Sequence, residues 1–268
     1  MILGTYHAHT EFCDGKSSAE EMILAAIELG AGEIGLSPHS PVPGENWCIR
    51  NENLALYKKK MKVLKEKYKG EIRVYMGIEE DYVSSTDTKD FDYVIGSVHA
   101  ITVNGENLWV DLSASEVREN VNKYFHSDPY KYTEAYFERV SDVYEKTHCD
   151  IIGHFDLVTK FLEKDPLFSL NDERYLKQKE SALNSLLNTP AIFEVNTGAI
   201  SRGYRTMPYP DDFVLQRIKE SGKPVIINSD SHSKETVLFG IEKEQKRMDS
   251  LGIKYLNSLS ELLKITRG

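Results

Sequence analysis

No stretch of this 268-residue chain approaches the ~20 consecutive apolar residues that a membrane-spanning helix needs. The N-terminal MILGTYHAHTEF enters a β-favouring run directly, without the pattern of a secretory signal. No membrane partner is therefore expected. Cysteine is scarce. Cys13, Cys48 and Cys149 are scattered and odd in number, in a chain too large to need disulfide staples, so reduced thiols and a cytoplasmic location are expected. Positive charge is in deficit, with 33 basic against 42 acidic residues and a net charge of -9, which repels polyanions and weighs against a nucleic-acid partner. The lysines between Lys58 and Lys69 read as a solvated helix face. No Pro/Gly/Ser-rich linker, internal repeat or low-complexity tract divides the chain, so one domain over 1–268 is expected.

What is present is a series of short runs rich in Ile, Val and Tyr: MILGTY (1–6), EIGLS (33–37), RVYMGI (73–78), YVIGSV (93–98), DIIG (150–153), AIFEV (191–195) and PVIINS (224–229). Their lack of alternation suits strands buried on both faces of a parallel sheet. Helical patterns lie between them. Ser18 and Glu21 open SAEEMILAAIELG as a capping box, and Leu54, Tyr57, Met61 and Leu64 recur at helical spacing. Further helices are predicted over 115–125, 129–146, 171–188, 211–221, 235–251 and 258–265. The fold class is α/β, either a barrel or an open doubly wound sheet, and in both the ligand site lies at the carboxyl ends of the strands.

Of the eight histidines, His7, His9, His39, His99, His154 and His232 each sit just after such a run, most with a carboxylate close by. Six imidazoles at one end of one sheet point to bound metal ions. His7 and His9 are two apart and face one side of a fraying strand, and Asp230 and His232 repeat that spacing. Because ligand-type residues stand on both the first and last strands, a closed barrel that makes them neighbours is favoured. Asp14, Glu79 and Asp230 offer hard oxygen ligands. Alternation sends Glu79 and Glu80 to opposite faces, and Glu79 is preferred as the inward carboxylate, able to bridge two cations. His126 and His148, on or beside helices, read as surface or capping histidines, and Cys13 as a packed free thiol.

HAHT (7–10), FCDG (12–15), SPHSP (37–41), GIEED (77–81), GSVH (96–99), GHFD (153–156), FEVNTG (193–198) and SDSH (229–232) follow one another in this order. In that succession the chain resembles the polymerase and histidinol phosphatase family, and within it is most similar to the monofunctional L-histidinol phosphate phosphatases. The resemblance implies a distorted (β/α)7 barrel with the metal site at the C-terminal ends of the strands, and three divalent ions, Zn, Mn or Fe. It implies that His7, His9, Glu79 and Asp230 hold the first ion, Glu79, His99 and His154 the second, and Asp14, His39 and His232 the third. Asp14 stands where many members have histidine, a harder ligand that bears on which metal the third position takes.

Several cations in one pocket neutralise a phosphate monoester and lower the pKa of bound water from 15.7 towards ~7. A hydroxide bridging the ions at Glu79 is then expected to attack phosphorus in line with the leaving alkoxide. Asp230, His232 or a water they hold is the expected general acid. Arg202 and Arg205, in the Gly/Pro-punctuated loop TGAISRGYRTMPYP, are expected over the phosphate, with Lys160 as a further cation and Asn196 as a hydrogen-bonding group near the substrate. SPVPGENWCIRN after His39 reads as a loop over the site. Trp47 or Phe12 is suited to stack on an imidazole, and Glu45, Asp81 or a loop carboxylate to read the substrate's amine and imidazole. ITVNGENLWVDL reads as a β-hairpin outside the barrel. The leading expectation is hydrolysis of a small phosphate ester, L-histidinol phosphate. The alternatives are a nucleotide, sugar phosphate or phosphotyrosine substrate, or a non-catalytic metal-stabilised module.

Overall fold

The computed structural model describes residues 3–268, so Met1 and Ile2 of the first expected strand lie outside the described residues. The strands are β1 (Gly4–Thr5), β2 (Glu33–Leu36), β3 (Arg73–Asp81), β4 (Tyr93–Ser97), β5 (Ala100–Val103), β6 (Glu106–Trp109), β7 (Ile151–Ile152), β8 (Ile192–Asn196) and β9 (Val225–Asn228). Seven form one sheet in the order β1-β2-β3-β4-β7-β8-β9, with every neighbouring pair parallel. All seven expected strands are present.

The sheet curls until its two edges meet, and the meeting is irregular. Across the seam between β9 and β1 side chains stand in for a ladder: Tyr6 N donates to Asn228 Oδ1 at 2.9 Å, and Ser229 N donates to Thr5 Oγ1 at 3.1 Å. Beyond the strand ends Ala8 and Ser231 form a parallel bridge, and His9 N donates to Ser231 O at 2.8 Å. The result is a nearly closed, distorted barrel, which brings SDSH beside HAHT as closure requires.

Inside the barrel Tyr6, Tyr93, Ile95, Ile151, Ile192 and Ile226 pack as one cluster. Tyr93 fits because Gly35 and Gly77 have no side chains; a Cβ on either would stand 2.2 Å from its phenol ring atoms or oxygen. Tyr93 OH then donates to Tyr6 O at 2.5 Å. Fully burying such an aromatic group is worth ~2 kcal/mol or more, so either glycine is constrained by shape, not by backbone freedom.

Around the barrel run α1 (Ala19–Glu28), α2 (Leu54–Tyr68), α3 (Ala114–Tyr124), α4 (Pro129–Thr147), α5 (Glu173–Leu187), α6 (Gly198–Ser201), α7 (Asp212–Ser221), α8 (Ile241–Leu251) and α9 (Leu259–Thr266). The capping box forms as expected: Ser18 Oγ accepts from Glu21 N and Glu21 Oε2 accepts from Ser18 N. The helix expected over 235–251 is broken, because Gly240 at φ 76 separates a 3-10 turn, Lys234–Thr236, from α8. The last helix, α9, sends Leu259 and Leu262 into the barrel cluster, while Leu259 N donates to Glu33 Oε2 and Arg267 Nε to Asp150 Oδ1. Those carboxylates stand at strand beginnings, so α9 plugs the N-terminal end and leaves the opposite mouth for chemistry. Among the described residues no helix is long and apolar enough to cross a membrane.

Strands β5 and β6 form the expected hairpin outside the sheet, turning at Asn104 and Gly105 with φ 52 and 83. His126 and His148 also take left-handed conformations, His148 as the C-cap of α4, in keeping with structural roles.

Candidate metal centre

Every barrel strand except β8, which ends in Asn196, carries a ligand-type side chain at or just past its end in the open mouth, and these converge on Glu79. Glu79 Oε2 lies 2.7 Å from His39 Nδ1, 3.2 Å from His7 Nε2 and 3.6 Å from His9 Nε2. Its other oxygen, Oε1, faces His154 Nε2 at 3.0 Å and His99 Nε2 at 3.5 Å. The carboxylate thus presents its two oxygens to two sets of imidazoles, the disposition of a bridging ligand. Asp230 Oδ1 approaches His9 Nε2 at 3.2 Å and His7 Nε2 at 3.7 Å. Asp14 approaches His232 Nε2 at 3.3 Å and His39 Nε2 at 3.7 Å. Glu80 points away, with Oε1 accepting from Thr86 N at 2.8 Å.

These atoms fall into overlapping groups, each fit for one ion: His7, His9 and Asp230; His7, Glu79 and His154; His39, Glu79 and His99; and His9, Asp14, His39 and His232. The first group lacks Glu79 of the expected first position, and the last adds His9 to the expected third. The expected pairing of His99 with His154 is divided between two groups that share Glu79. His7 Nε2, His9 Nε2, His39 Nδ1 and Glu79 Oε2 are buried and have no hydrogen-bond partner among the described residues, although they stand within a few ångströms of one another. Leaving such atoms unpaired costs ~1–3 kcal/mol each. Divalent cations satisfy all of them, so the donor set fits a metal centre.

The local electrostatics agree. Burial opposes ionisation of Glu79, but His7, His39 and His99 hold its carboxyl well below the usual range. Asp230 is likewise held ionised against burial, by Arg202 first and then His7. Burial, with His232 and His39 nearby, pushes His9 down to about 3, leaving it a neutral donor. At His99 burial is outweighed by Glu79 and Asp81, which raise it to about 10.

A second layer of carboxylates, absent from the expected site, orients the imidazoles. Glu194 sits in the middle of β8 and places Oε2 3.0 Å from His7 Nδ1, which directs Nε2 of the same ring at Glu79. The same carboxylate accepts from His154 N at 2.7 Å and from Asn228 Nδ2 at 2.9 Å. Asp81 Oδ2 lies 2.7 Å from His99 Nδ1, so Asp81 orients a histidine and is not free to read a substrate amine. A carboxylate within the apolar run AIFEV was the available signal for Glu194. Glu194→Gln is expected to weaken metal affinity about 10- to 100-fold, because an amide NH2 would then face groups that donate. A competitive metal titration giving wild-type affinity would exclude that role.

Above the rim opens a cavity of about 220 Å³, lined among others by Trp47, Trp109, Asp111, Lys160, Arg202 and Tyr204. Two of the four expected substrate groups are here. Arg202 donates from NH1 to Asp230 O at 2.7 Å and from NH2 to Asp230 Oδ2 at 3.1 Å, beside His232. Lys160 Nζ donates to Asp111 O at 2.8 Å and Oδ2 at 3.1 Å. Arg205 does not line the cavity. Its NH1 donates to Thr159 Oγ1 at 2.6 Å and its guanidinium lies 4.2 Å from the Tyr209 ring centre. Asn196 lies beneath the rim, fully buried, with Nδ2 donating to Glu194 Oε1 at 2.8 Å and Oδ1 accepting from Gly198 N. Arg205 was expected at the substrate from its Gly/Pro-punctuated loop and Asn196 as the residue that ends the strand, yet Arg205 packs on Tyr209 and Asn196 is bridged to Tyr209 and buried.

Phe12 packs edge-on against Tyr57, away from the cavity, whereas Trp47 stands edge-on to His39 at 4.9 Å and Trp109 at 5.1 Å. Glu45 is occupied by Trp47 Nε1 at 2.9 Å. Cys13 Sγ lies 3.5 Å from His9 Nδ1, and burial first, then Asp14, pushes its thiol up to about 12, as suits a packed thiol.

A parallel α/β barrel with a His/carboxylate metal-binding rim and cationic side chains beside the mouth defines the class of metal-binding barrel proteins. The chain belongs to the PHP domain family, whose profile matches residues 5–198. It is 26% identical over 270 residues to a probable histidinol-phosphatase of Schizosaccharomyces pombe, covering 92% of this chain and 86% of the relative. It is 23% identical over 262 residues to the histidinol-phosphatase of Bacillus subtilis, covering 88% and 96%. In three dimensions it shares its fold with the histidinol phosphate phosphatase of Lactococcus lactis, solved with zinc, L-histidinol and phosphate, at TM-score 0.72 and 19% identity over 95% of each chain.

Proposed function

We propose that this chain is a metal-dependent phosphomonoesterase that hydrolyses L-histidinol phosphate to L-histidinol and phosphate in histidine biosynthesis, in the cytoplasm. The observation that carries the reading is Glu79, buried with its two oxygens facing separate imidazole sets, some of whose members, His39, His99 and His154, line a cavity together with Arg202 and Lys160. The histidinol-phosphatase names of the relatives and the ligands of the Lactococcus lactis structure point to the substrate.

We assign His7, His9, Glu79 and Asp230 to a first divalent ion, Glu79, His99 and His154 to a second, and Asp14, His39 and His232 to a third, with Zn, Mn or Fe as the metal. When bound, such ions neutralise the phosphoryl charge and acidify water. The protein's own part is orientation. Arg202 offers a planar fork held by Asp230 and takes phosphoryl oxygens at the cavity edge, and Lys160 adds a second positive group. Asp230, held ionised, acts as ligand and anchor of Arg202, which makes it a poor proton donor at neutral pH. Proton delivery to the leaving alkoxide is therefore assigned to a water held beside Asp230 and His232 at the cavity, since His232 Nε2 is itself assigned to the third ion.

The test is metal analysis of the purified protein together with turnover. Expected is more than one transition-metal ion per chain, and phosphate release from L-histidinol phosphate at least about tenfold faster than from p-nitrophenyl phosphate. Chelation should abolish that release and metal should restore it. Equal rates on both esters would overturn the substrate, and full activity in chelator would overturn the metal assignment.

A further inference from the structure

The hairpin β5–β6, which the barrel does not need, ends at the metal rim: Val110 N donates to His99 O at 2.8 Å. That bond fixes Trp109 and Asp111 against the cavity, where both are lining residues. Trp109 meets Trp47 edge to face at 5.1 Å, and Trp47 in turn stands 4.9 Å from His39, so an indole from β6 and one from the loop after His39 form one aromatic wall next to the metal site. Three carboxylates line the cavity. Asp14 and Asp230 belong to the imidazole groups described above, which leaves Asp111. Its Oδ2 accepts from Lys160 at 3.1 Å, while Oδ1 has no hydrogen bond among the described residues, and the side chain is 25% exposed towards the cavity.

A phosphomonoester of an amino alcohol carries an ammonium on the carbon next to the ester carbon. Seating the phosphate at the rim brings that cation close to the cavity wall, where it loses water and requires an acceptor. We infer that Asp111 is the specificity-determining residue for the ammonium group, with the Trp47 and Trp109 wall packing the ring beyond it, so that the hairpin makes the site selective for phosphate esters of vicinal amino alcohols. The inference rests on the histidinol phosphate reading for the identity of the ring, but the amine selectivity can be read separately. Lys160 holds the carboxylate in place by its bonds to Asp111 O and Oδ2.

The experiment compares wild-type holoenzyme and Asp111→Asn on paired esters: L-histidinol phosphate against 3-(imidazol-4-yl)propyl phosphate, and O-phosphoethanolamine against ethyl phosphate. Each pair differs by the amine alone. A charge-assisted hydrogen bond of this kind is expected to give a kcat/KM advantage of about 10- to 100-fold to each amine-bearing ester. Asp111→Asn should remove that advantage mainly through KM, leaving turnover of the amine-free esters within about threefold. Equal losses on amine-bearing and amine-free esters would mean that Asp111 only positions Lys160, and would overturn the inference. If Asp111→Asn does not fold, the wild-type ratios decide, since an absent amine preference also overturns it. Should L-histidinol phosphate fail as a substrate while O-phosphoethanolamine still outpaces ethyl phosphate, the proposed function falls and the amine selector stands.

Discussion

Glu79→Gln is expected to lower kcat roughly 10³-fold and to strip the protein of more than one metal ion, the largest effect of any single substitution in this chain. Glu79 is buried, and its two oxygens serve different partners: Oε2 faces His7, His9 and His39, and Oε1 faces His99, His154 and the Ser97 hydroxyl. Glutamine preserves the shape but offers one acceptor oxygen and turns an NH2 group towards nitrogen donors. Removing one partner from a buried charged arrangement costs ~3–5 kcal/mol, which corresponds to roughly 10²- to 10⁴-fold in an equilibrium or rate. Elemental analysis and kcat, measured on the same preparation, check this. A variant that retains its full complement of metal and loses less than about tenfold in kcat would show that Glu79 is not the bridge. Glu80→Gln serves as the control from the neighbouring position, because its side chain faces Thr86 and not the rim.

The barrel and its rim were largely legible in the sequence, for a physical reason. Parallel strands covered on both faces are uniformly apolar, so a histidine or acid that ends such a run stands out and its location at the strand's carboxyl end follows. Side chains that act within a strand carry no such mark. Glu194 lies inside β8 and Asn228 closes β9, and they differ from their neighbours only by polarity, yet Glu194 orients His7, and Asn228 holds both Glu194 and the barrel seam. Loop residues are the other weakness. Arg202 and Arg205 share one Gly- and Pro-rich context, and only the short helix α6 and the chain after it decide that Arg202 reaches the cavity and Arg205 turns to Thr159 and Tyr209, while Asn196, the last residue of β8, stays under the rim. Asp111 and Trp109 were readable as a hairpin but not as cavity wall, since nothing in the run ITVNGENLWVDL marks which end of the hairpin meets the rim, and that follows only from Val110 extending the ladder to His99.

Arg202→Ala is expected to reduce kcat/KM for the phosphate ester about 100-fold or more, and Arg202→Lys to recover little of it. The guanidinium is doubly anchored, NH1 on Asp230 O and NH2 on Asp230 Oδ2, while 30% of the side chain stays exposed, so its plane is fixed before substrate arrives. A preset fork meets two phosphoryl oxygens without a further loss of rotamer freedom, whereas lysine offers a single flexible ammonium that cannot hold both Asp230 atoms and the substrate. Two consequences separate substrate binding from mere support of Asp230. If Arg202 takes the phosphate, product inhibition by inorganic phosphate weakens in parallel with kcat/KM while metal content stays at the wild-type level. If it only steadies Asp230, metal content falls and phosphate affinity of the remaining loaded protein is unchanged. Retention of both phosphate inhibition and turnover in Arg202→Ala would remove the guanidinium from the reaction altogether and leave Lys160 as the cation over the phosphate.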